Sequence, residues 1–489
     1  MMPMTEADIP FETRHVYIAG AWRAAAGGLT LTLTNPSDGT PLAEVARGGA
    51  ADIDDAVAAA RAALAGEWGR MDATTRGRIL TTMGRLVLDR VEMLARVESL
   101  DLGKPLAQAR ADAVALARYL EFYGGAADKV HGETIPYQAG YTVLTLREPH
   151  GVTGHIIPWN YPMQIIGRSV TAALAMGNAV VLKPAEEACL TALAFARIAE
   201  EAGLPAGALN VVPGLGEEAG AALSGHRGID HISFTGSTAT GARVQTAAAA
   251  NAVPVTLELG GKSPQIVFAD ADLDAALPFL VNAGIQNAGQ TCSAASRILV
   301  ERPVYDAVLA RMAARYRALK VGPAMANLDM GPLVSGRQRE IVEGFLAVAA
   351  ADGLDIAAEG TIVPDAPAGG HYVKPTLIAG VDPDHRLAQE EIFGPVQVVI
   401  PFDGEAEAIE IANGTDFGLV AGVWTADGGR QLRMARALRT GQVFVNNYGA
   451  GGGVELPFGG VKRSGHGREK GLEALLSFST VKTVAIRHG

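Results

Sequence analysis

Between residues 151 and 259, short apolar runs alternate with longer stretches whose Ala, Leu and Val recur every three or four positions. The runs at 155–157, 179–182, 210–212, 231–234 and 255–259 predict strands. The stretches at 163–175, 190–202, 217–223 and 240–250 predict helices. This alternation predicts an α/β fold, a parallel sheet with helices on both faces. The same texture returns after Glu258. Helices are expected at 273–288, 305–318, 338–351 and 429–439, and strands at 297–301 and 396–400. Pro278 lies inside the first of these helices and predicts a kink or a later start. Upstream, 15–23 and 29–35 read as short strands, and 51–68, 75–100 and 106–123 as helices. Residues 140–148 alternate with the period of a strand.

Length and composition narrow the picture. At 489 residues the chain is too long for one small core and predicts several domains. Its net charge of −11 argues against a nucleic-acid or anionic-membrane partner. No apolar run reaches the roughly 18 residues needed to cross a bilayer. The opening MMPMTEADIPF lacks the pattern of a signal peptide. Two cysteines, Cys189 and Cys292, make no disulfide framework, and the ten histidines show no metal-ligand spacing, so no metal is expected. A reducing cytoplasm is the simplest setting.

The candidate chemistry lies in three distant segments. Cys292 sits among small and polar residues in GQTCSAASR, where a thiol can serve as nucleophile or be merely buried. Glu258 stands in LELGGKSP and offers a general base. Asn160 stands in PWNYP and offers an amide donor to an oxyanion. Nucleophile, base and donor are the parts of an acyl-transfer site. Gly236 and Ser237 end a predicted strand and open a helix, where a pyrophosphate or an ordinary glycine turn fits. Lys183 and Glu186 follow another strand, at the end where open α/β sheets bind ligands.

PWNYP, LKPAE, FTGSTATG, LELGGKSP, GQTCSAASR, EEIFGPV and PFGGVKRSG occur in this order along the chain. In that order they resemble the motifs of the NAD(P)-dependent aldehyde dehydrogenase superfamily, from about residue 15 to the C-terminus. The resemblance implies two Rossmann-like parallel-sheet domains and a small β oligomerisation arm. It assigns 1–127 and 149–257 to NAD binding, 258–465 to catalysis, and 128–148 with 466–489 to the arm of a homodimer or homotetramer. It implies an aldehyde substrate, NAD as cofactor with NADP possible, and a thioester on Cys292 hydrolysed by water that Glu258 activates. Asn160 and the Cys292 backbone N–H become the oxyanion donors. Lys183 and Glu186 are expected at the adenosine ribose, Gly236 and Ser237 at the pyrophosphate, Glu391 at the nicotinamide ribose and Phe393 beside the nicotinamide. Ile157 and Trp159 complete the expected cofactor site.

Two readings run against this catalytic one. A CoA-acylating relative would lack a glutamate like Glu258, and a non-catalytic binding protein would not need the full set of Cys292, Glu258 and Asn160. Glu469, in GREKG, matches a second glutamate of the superfamily, but its own context reads as a helix-surface ion pair. Ser169 stands where relatives often carry lysine. Arg168 lies eight residues after Asn160 at a position that faces the substrate tunnel in relatives. There it predicts a clamp for a distal carboxylate, hence a semialdehyde of the succinic type. The alternative is that Arg168 pairs with a protein acid such as Glu455 and the aldehyde is uncharged. The loop at 449–457, with Tyr448 its only nearby aromatic, offers no cage for a quaternary ammonium.

Overall fold

The computed structural model describes residues 11–449 and 453–489. The N-terminal reading over 1–10 and the middle of the 449–453 loop lie outside the described residues. Two sheets organise the chain. The first has eight strands in the order Ala21–Arg23, Val16–Ile18, Leu209–Val211, Ala179–Lys183, Val152–Ile156, His231–Thr235, Val255–Glu258 and Gly465–His466. Its five central strands are parallel. Every residue of Val152–Ile156, Ala179–Lys183 and His231–Thr235 is buried, as expected of strands covered on both faces. The order reverses between Val152–Ile156 and His231–Thr235, so a crevice opens beyond their carboxyl ends.

The second sheet has seven strands, ordered Asp355–Glu359, Thr376–Ala379, Val396–Phe402, Arg297–Glu301, Pro264–Val267, Val420–Trp424 and Gln442–Val445. All its pairings are parallel except the one made by Asp355–Glu359. Each sheet has its own apolar core, and the chain passes from one to the other between Leu259 and Ile266. Glu258 therefore ends a strand of the first sheet, and Gly261, Cys292 and Gly394 sit just ahead of strands of the second.

A three-stranded arm is separate from both. Ser479–Arg487 pairs antiparallel with Tyr141–Pro149 over its whole length, and Thr134–Ile135 lies on the other side.

Several expected boundaries shift. The helix expected over 75–100 is two helices, Ala73–Leu88 and Val91–Leu102. The chain turns at Arg90, which leaves helical backbone (φ −120°, ψ 16°) and pairs with Glu201 at 2.6 Å. The helix expected over 51–68 ends at Ala65, ahead of Gly66. Leu273–Ile285 starts on time despite Pro278, because Asp272 caps it by accepting from the N–H groups of Asp274 and Ala275. It stops three residues early, in a turn whose Asn287 and Ala288 are left-handed. Among the described residues, no helix is long and apolar enough to cross a membrane, and no cluster of three or more His, Cys, Asp or Glu could hold a metal.

Candidate active site

A cleft of about 380 Å³ lies between the carboxyl ends of the first sheet and the leading ends of the second. Cys292, Glu258 and Asn160 all line it. The thiol is free and partly open to the cleft. Burial pushes it up to about 12, and the Arg168 guanidinium pulls the other way. It therefore rests protonated at neutral pH. The Glu258 carboxylate is buried, and neither oxygen finds a donor among the described residues. Its pKa lies well above the usual carboxylate range, first because of burial, with Glu469 adding and Arg168 opposing. Gly459 makes room for it, since a Cβ there would come within 2.8 Å of Glu258 Oε1. Asn160 is buried, and its Nδ2 donates to the Gln290 carbonyl at 3.0 Å. That leaves one amide N–H to give.

The other expected residues divide between the cleft and its edge. Gly236 and Ser237 line the cleft, and Ser237 caps the helix Thr238–Ala249 by accepting from Thr240 N. Gly236 N–H donates to the Glu258 carbonyl at 3.0 Å, which ties the turn ahead of the cap to the end of the Val255–Glu258 strand. Trp159 meets Phe393 edge to face, with ring centroids 5.3 Å apart. Phe393 adopts positive φ (56°), so its ring is held by an uncommon backbone turn. Glu391 lines the cleft, and its Oε1 accepts from Gly261 N at 3.0 Å. Burial raises it to about 7.

Lys183, Glu186 and Ile157 do not line the cleft itself. Ile157 is buried and donates its N–H to the Lys183 carbonyl. Lys183 Nζ pairs with Glu186 Oε2 at 2.7 Å, and Glu186 Oε1 accepts from Gly216 N at 3.3 Å. Burial works against the Glu186 charge, but Lys183 outweighs it and the pKa falls below the usual value. Gly236, Glu391 and Phe393 line the cleft, and the Lys183–Glu186 pair lies outside its lining.

Arg168 lies in a turn wider than α-helical, Ile166–Val170, inserted between Pro162–Ile165 and Thr171–Ala175. Such turns often mark functional sites. The side chain is buried yet reaches the cleft. Its Nε lies 2.5 Å from Glu469 Oε2, Nη2 donates to Thr235 Oγ1 at 3.2 Å, and Cζ stands 4.8 Å from the Phe458 ring centre. Glu455 pairs instead with Arg118.

Comparison with known proteins shows the family of the chain. The model of the aldehyde dehydrogenase family matches residues 22–484. The chain belongs to the aldehyde dehydrogenase family. It is therefore an oxidoreductase of aldehydes. It is similar to retinal dehydrogenase 2 of Homo sapiens, 41% identical over all of this chain and 94% of that protein. A crystal structure from Burkholderia cenocepacia, of a chain assigned as an aldehyde dehydrogenase, is 64% identical with a TM-score of 0.97, covering 97% of this chain and all of that one. The NAD+ complex of an aldehyde dehydrogenase from Bacillus cereus is 40% identical with a TM-score of 0.96, over all of this chain and 99% of that one.

In this aldehyde dehydrogenase the surface reading of Glu469 is corrected. Its carboxylate is fully buried ahead of the helix Gly471–Ser477, and Oε1 accepts from Ser233 Oγ at 2.8 Å. Burial opposes the Arg168 charge, Glu469 and Glu258 together with smaller contributions from Cys292 and Tyr119 more than offset it, and the guanidinium keeps its proton. The expected alternative, that Arg168 pairs with a protein acid, holds with Glu469 in place of Glu455. The available signal was the match of Glu469 to a second glutamate of the superfamily; its place after the strand Gly465–His466, at the edge of the same sheet, comes only from the fold.

Proposed function

We propose that this enzyme works through Cys292, with Asn160 and the Cys292 N–H as oxyanion donors and Glu258 as base. The observation that carries this reading is that Cys292, Asn160 and Glu258 line one cleft. Cys292 Sγ attacks the aldehyde carbon as the thiol passes its proton to water in the cleft mouth, giving the oxyanion of a thiohemiacetal. The two N–H donors hold the oxyanion, each contributing roughly 3–4 kcal/mol by the usual measure of such groups. NAD, held by Lys183, Glu186, Glu391 and Phe393, would supply the hydride acceptor through which the thiohemiacetal on Cys292 becomes a thioester. Glu258 then takes a proton from water, which attacks the thioester and releases the acid. The test is mass spectrometry of a Glu258→Gln variant mixed with aldehyde and NAD. An acyl group should appear on the peptide that carries Cys292, and its absence there would defeat the assignment.

NAD is the cofactor this site suits, with Lys183 and Glu186 at the adenosine ribose. Glu186 stays ionised, so a 2′-phosphate would meet like charge there. NAD should be used in preference to NADP. Glu186→Gln should narrow that preference by about tenfold, roughly 1.4 kcal/mol, in kcat/KM for the two cofactors. Equal use of both by the unchanged enzyme would contradict this.

For the substrate, the Arg168–Glu469 pair supports the uncharged aldehyde over the carboxylate-bearing semialdehyde, since the cation already has its anion. Removing one member of such a buried pair commonly costs about 3–5 kcal/mol. Arg168→Leu should therefore lower kcat/KM by the same factor for a semialdehyde acid and for its uncharged analogue. A loss confined to the acid would restore the carboxylate clamp.

The separate cores support a cofactor-binding unit at 1–127 and 149–257 and a catalytic unit at 258–465. The arm, at 128–148 and 466–489, exposes Ile135, Leu146, Val481 and Ile486, which suits pairing with further copies of the chain. A cytoplasmic homodimer or homotetramer is the form we assign.

A further inference from the structure

Among the described residues, two consecutive non-glycine residues with positive φ lie just ahead of the thiol. Asn287 (φ 49°, ψ 40°) and Ala288 (φ 56°, ψ 34°) are both left-handed and both buried. Single non-glycine residues rarely adopt this conformation, and asparagine does so more readily than alanine. A consecutive pair needs an outside hold. Gln108, on the helix Leu106–Ala126, supplies part of it by accepting from Asn287 N–H at 2.9 Å.

The Asn287 amide then reaches both walls of the oxyanion site. Its Nδ2 donates to the Asn160 carbonyl at 3.0 Å and, at 3.4 Å, to the Gln290 carbonyl. The same Gln290 carbonyl accepts from Asn160 Nδ2. Gln290 is itself pinned, because its Nε2 donates to the Asn287 carbonyl at 3.0 Å and its Oε1 accepts from Val334 N at 2.9 Å. Asn160, Asn287 and Gln290 are all buried. Rotation of the Asn160 amide is thus set by the Gln290 carbonyl. Asn287 sets that carbonyl and the Asn160 backbone together. Gln290 is two residues from Cys292, whose N–H is the other oxyanion donor.

We propose that Asn287, held left-handed with the help of Gln108, is the positioning residue that fixes the spacing of the two oxyanion donors. It touches neither substrate nor cofactor in this role. It acts through the orientation of Asn160 and through the course of the chain from Gln290 to Cys292. The inference rests on the roles given to Asn160 and Cys292 above.

The test uses the full-length enzyme and four variants: Asn287→Gly, Gln108→Ala, Gln108→Glu and Asn160→Ala. Glycine keeps the left-handed backbone accessible and removes only the amide. Glutamate at 108 keeps an acceptor for Asn287 N–H, whereas alanine does not. Three quantities are measured: the rate of the first NADH burst, the affinity for NAD, and the rate at which iodoacetamide alkylates Cys292. Loss of an oxyanion donor commonly slows chemistry about 10²–10³-fold, so Asn287→Gly should slow the burst by about 30-fold or more. Its NAD affinity and Cys292 alkylation should stay within about twofold, since neither forms an oxyanion. Gln108→Ala should slow the burst by about threefold or more, and Gln108→Glu should recover most of that loss.

A burst unchanged in Asn287→Gly would overturn the proposal. So would alkylation that falls in step with the burst, which marks general loosening of the thiol loop. Should Asn287→Gly fail to fold, the Gln108 pair decides, and equal slowing in both its members overturns the proposal. Asn160→Ala separates the two levels of the argument. An unchanged burst there means that Asn160 is no oxyanion donor, and the reading beneath this inference fails first. A slow burst there beside a normal one in Asn287→Gly leaves that reading standing and removes only the role of Asn287.

Discussion

Cys292→Ala should oxidise no aldehyde at a measurable rate, a loss of about 10⁴-fold or more in kcat, while its affinity for NAD stays within about twofold. The loss is large because the substitution removes the proposed nucleophile, and the second cysteine, Cys189, does not line the cleft. The second thiol gives the control. Cys189 is fully buried against Leu190 and Val97 at the start of the helix Leu190–Glu201, and burial pushes its pKa well above the usual thiol value. Cys189→Ala should keep normal turnover and lose only about 1 kcal/mol of stability to the small cavity. Cys292 should also betray its setting through pH. Its pKa is raised to about 12, first by burial, so little thiolate exists at neutral pH. Alkylation of the resting enzyme should climb steadily from pH 7 toward that value. Dehydrogenase turnover in Cys292→Ala above trace level, measured as NADH absorbance, would defeat the nucleophile assignment.

What the sequence made legible follows from how each feature is encoded. The alternation of apolar runs and helical stretches from 151 to 259 reported the first sheet, because strands buried on both faces are continuously apolar. Cys292, Glu258 and Asn160, expected to share a site, do line one cleft, and each lies in a short segment whose neighbours are tightly packed. Gly261 is an example: a Cβ there would come within 2.4 Å of the Cys292 carbonyl. Arg168 was readable as an unusual cation but not as a paired one. Its partner lies some 300 positions away, and only the closing of Gly465–His466 onto Val255–Glu258 brings Glu469 to it. The helix break at Arg90 was hidden for a similar reason, since its side chain answers to Glu201 in another element. The turn at Asn287 looked like more helix because its residues suit one. Contacts from Gln108 and Gln290 decide otherwise, and local pattern carries no trace of them.

Glu258→Gln should separate the two halves of the reaction. Glutamine keeps the shape that fits against Gly459 and removes the base. Mixing the variant with aldehyde and excess NAD should give a burst of about one NADH per active site, then turnover slowed by about 10²–10⁴-fold, the usual contribution of a general base. The pH profile supplies a second signature. Burial, reinforced by Glu469 and opposed by Arg168, raises the Glu258 pKa well above the usual carboxylate value. Only the ionised form can take a proton from water, so deacylation should rise with pH through that raised pKa. The glutamine variant should lack this limb. Stability should move in the opposite direction. Between the unfolded pKa and the raised folded one, the folded enzyme holds the proton more tightly than the unfolded chain, so this group's contribution falls as pH rises. Glutamine carries no charge to bury, and the variant should melt no lower than the parent at pH 7 and relatively higher at pH 9. A slow enzyme that is also as stable as its parent would tie the rate loss to the missing base and not to a damaged fold. Unchanged steady-state turnover would remove Glu258 from the reaction, whatever the melting curves show.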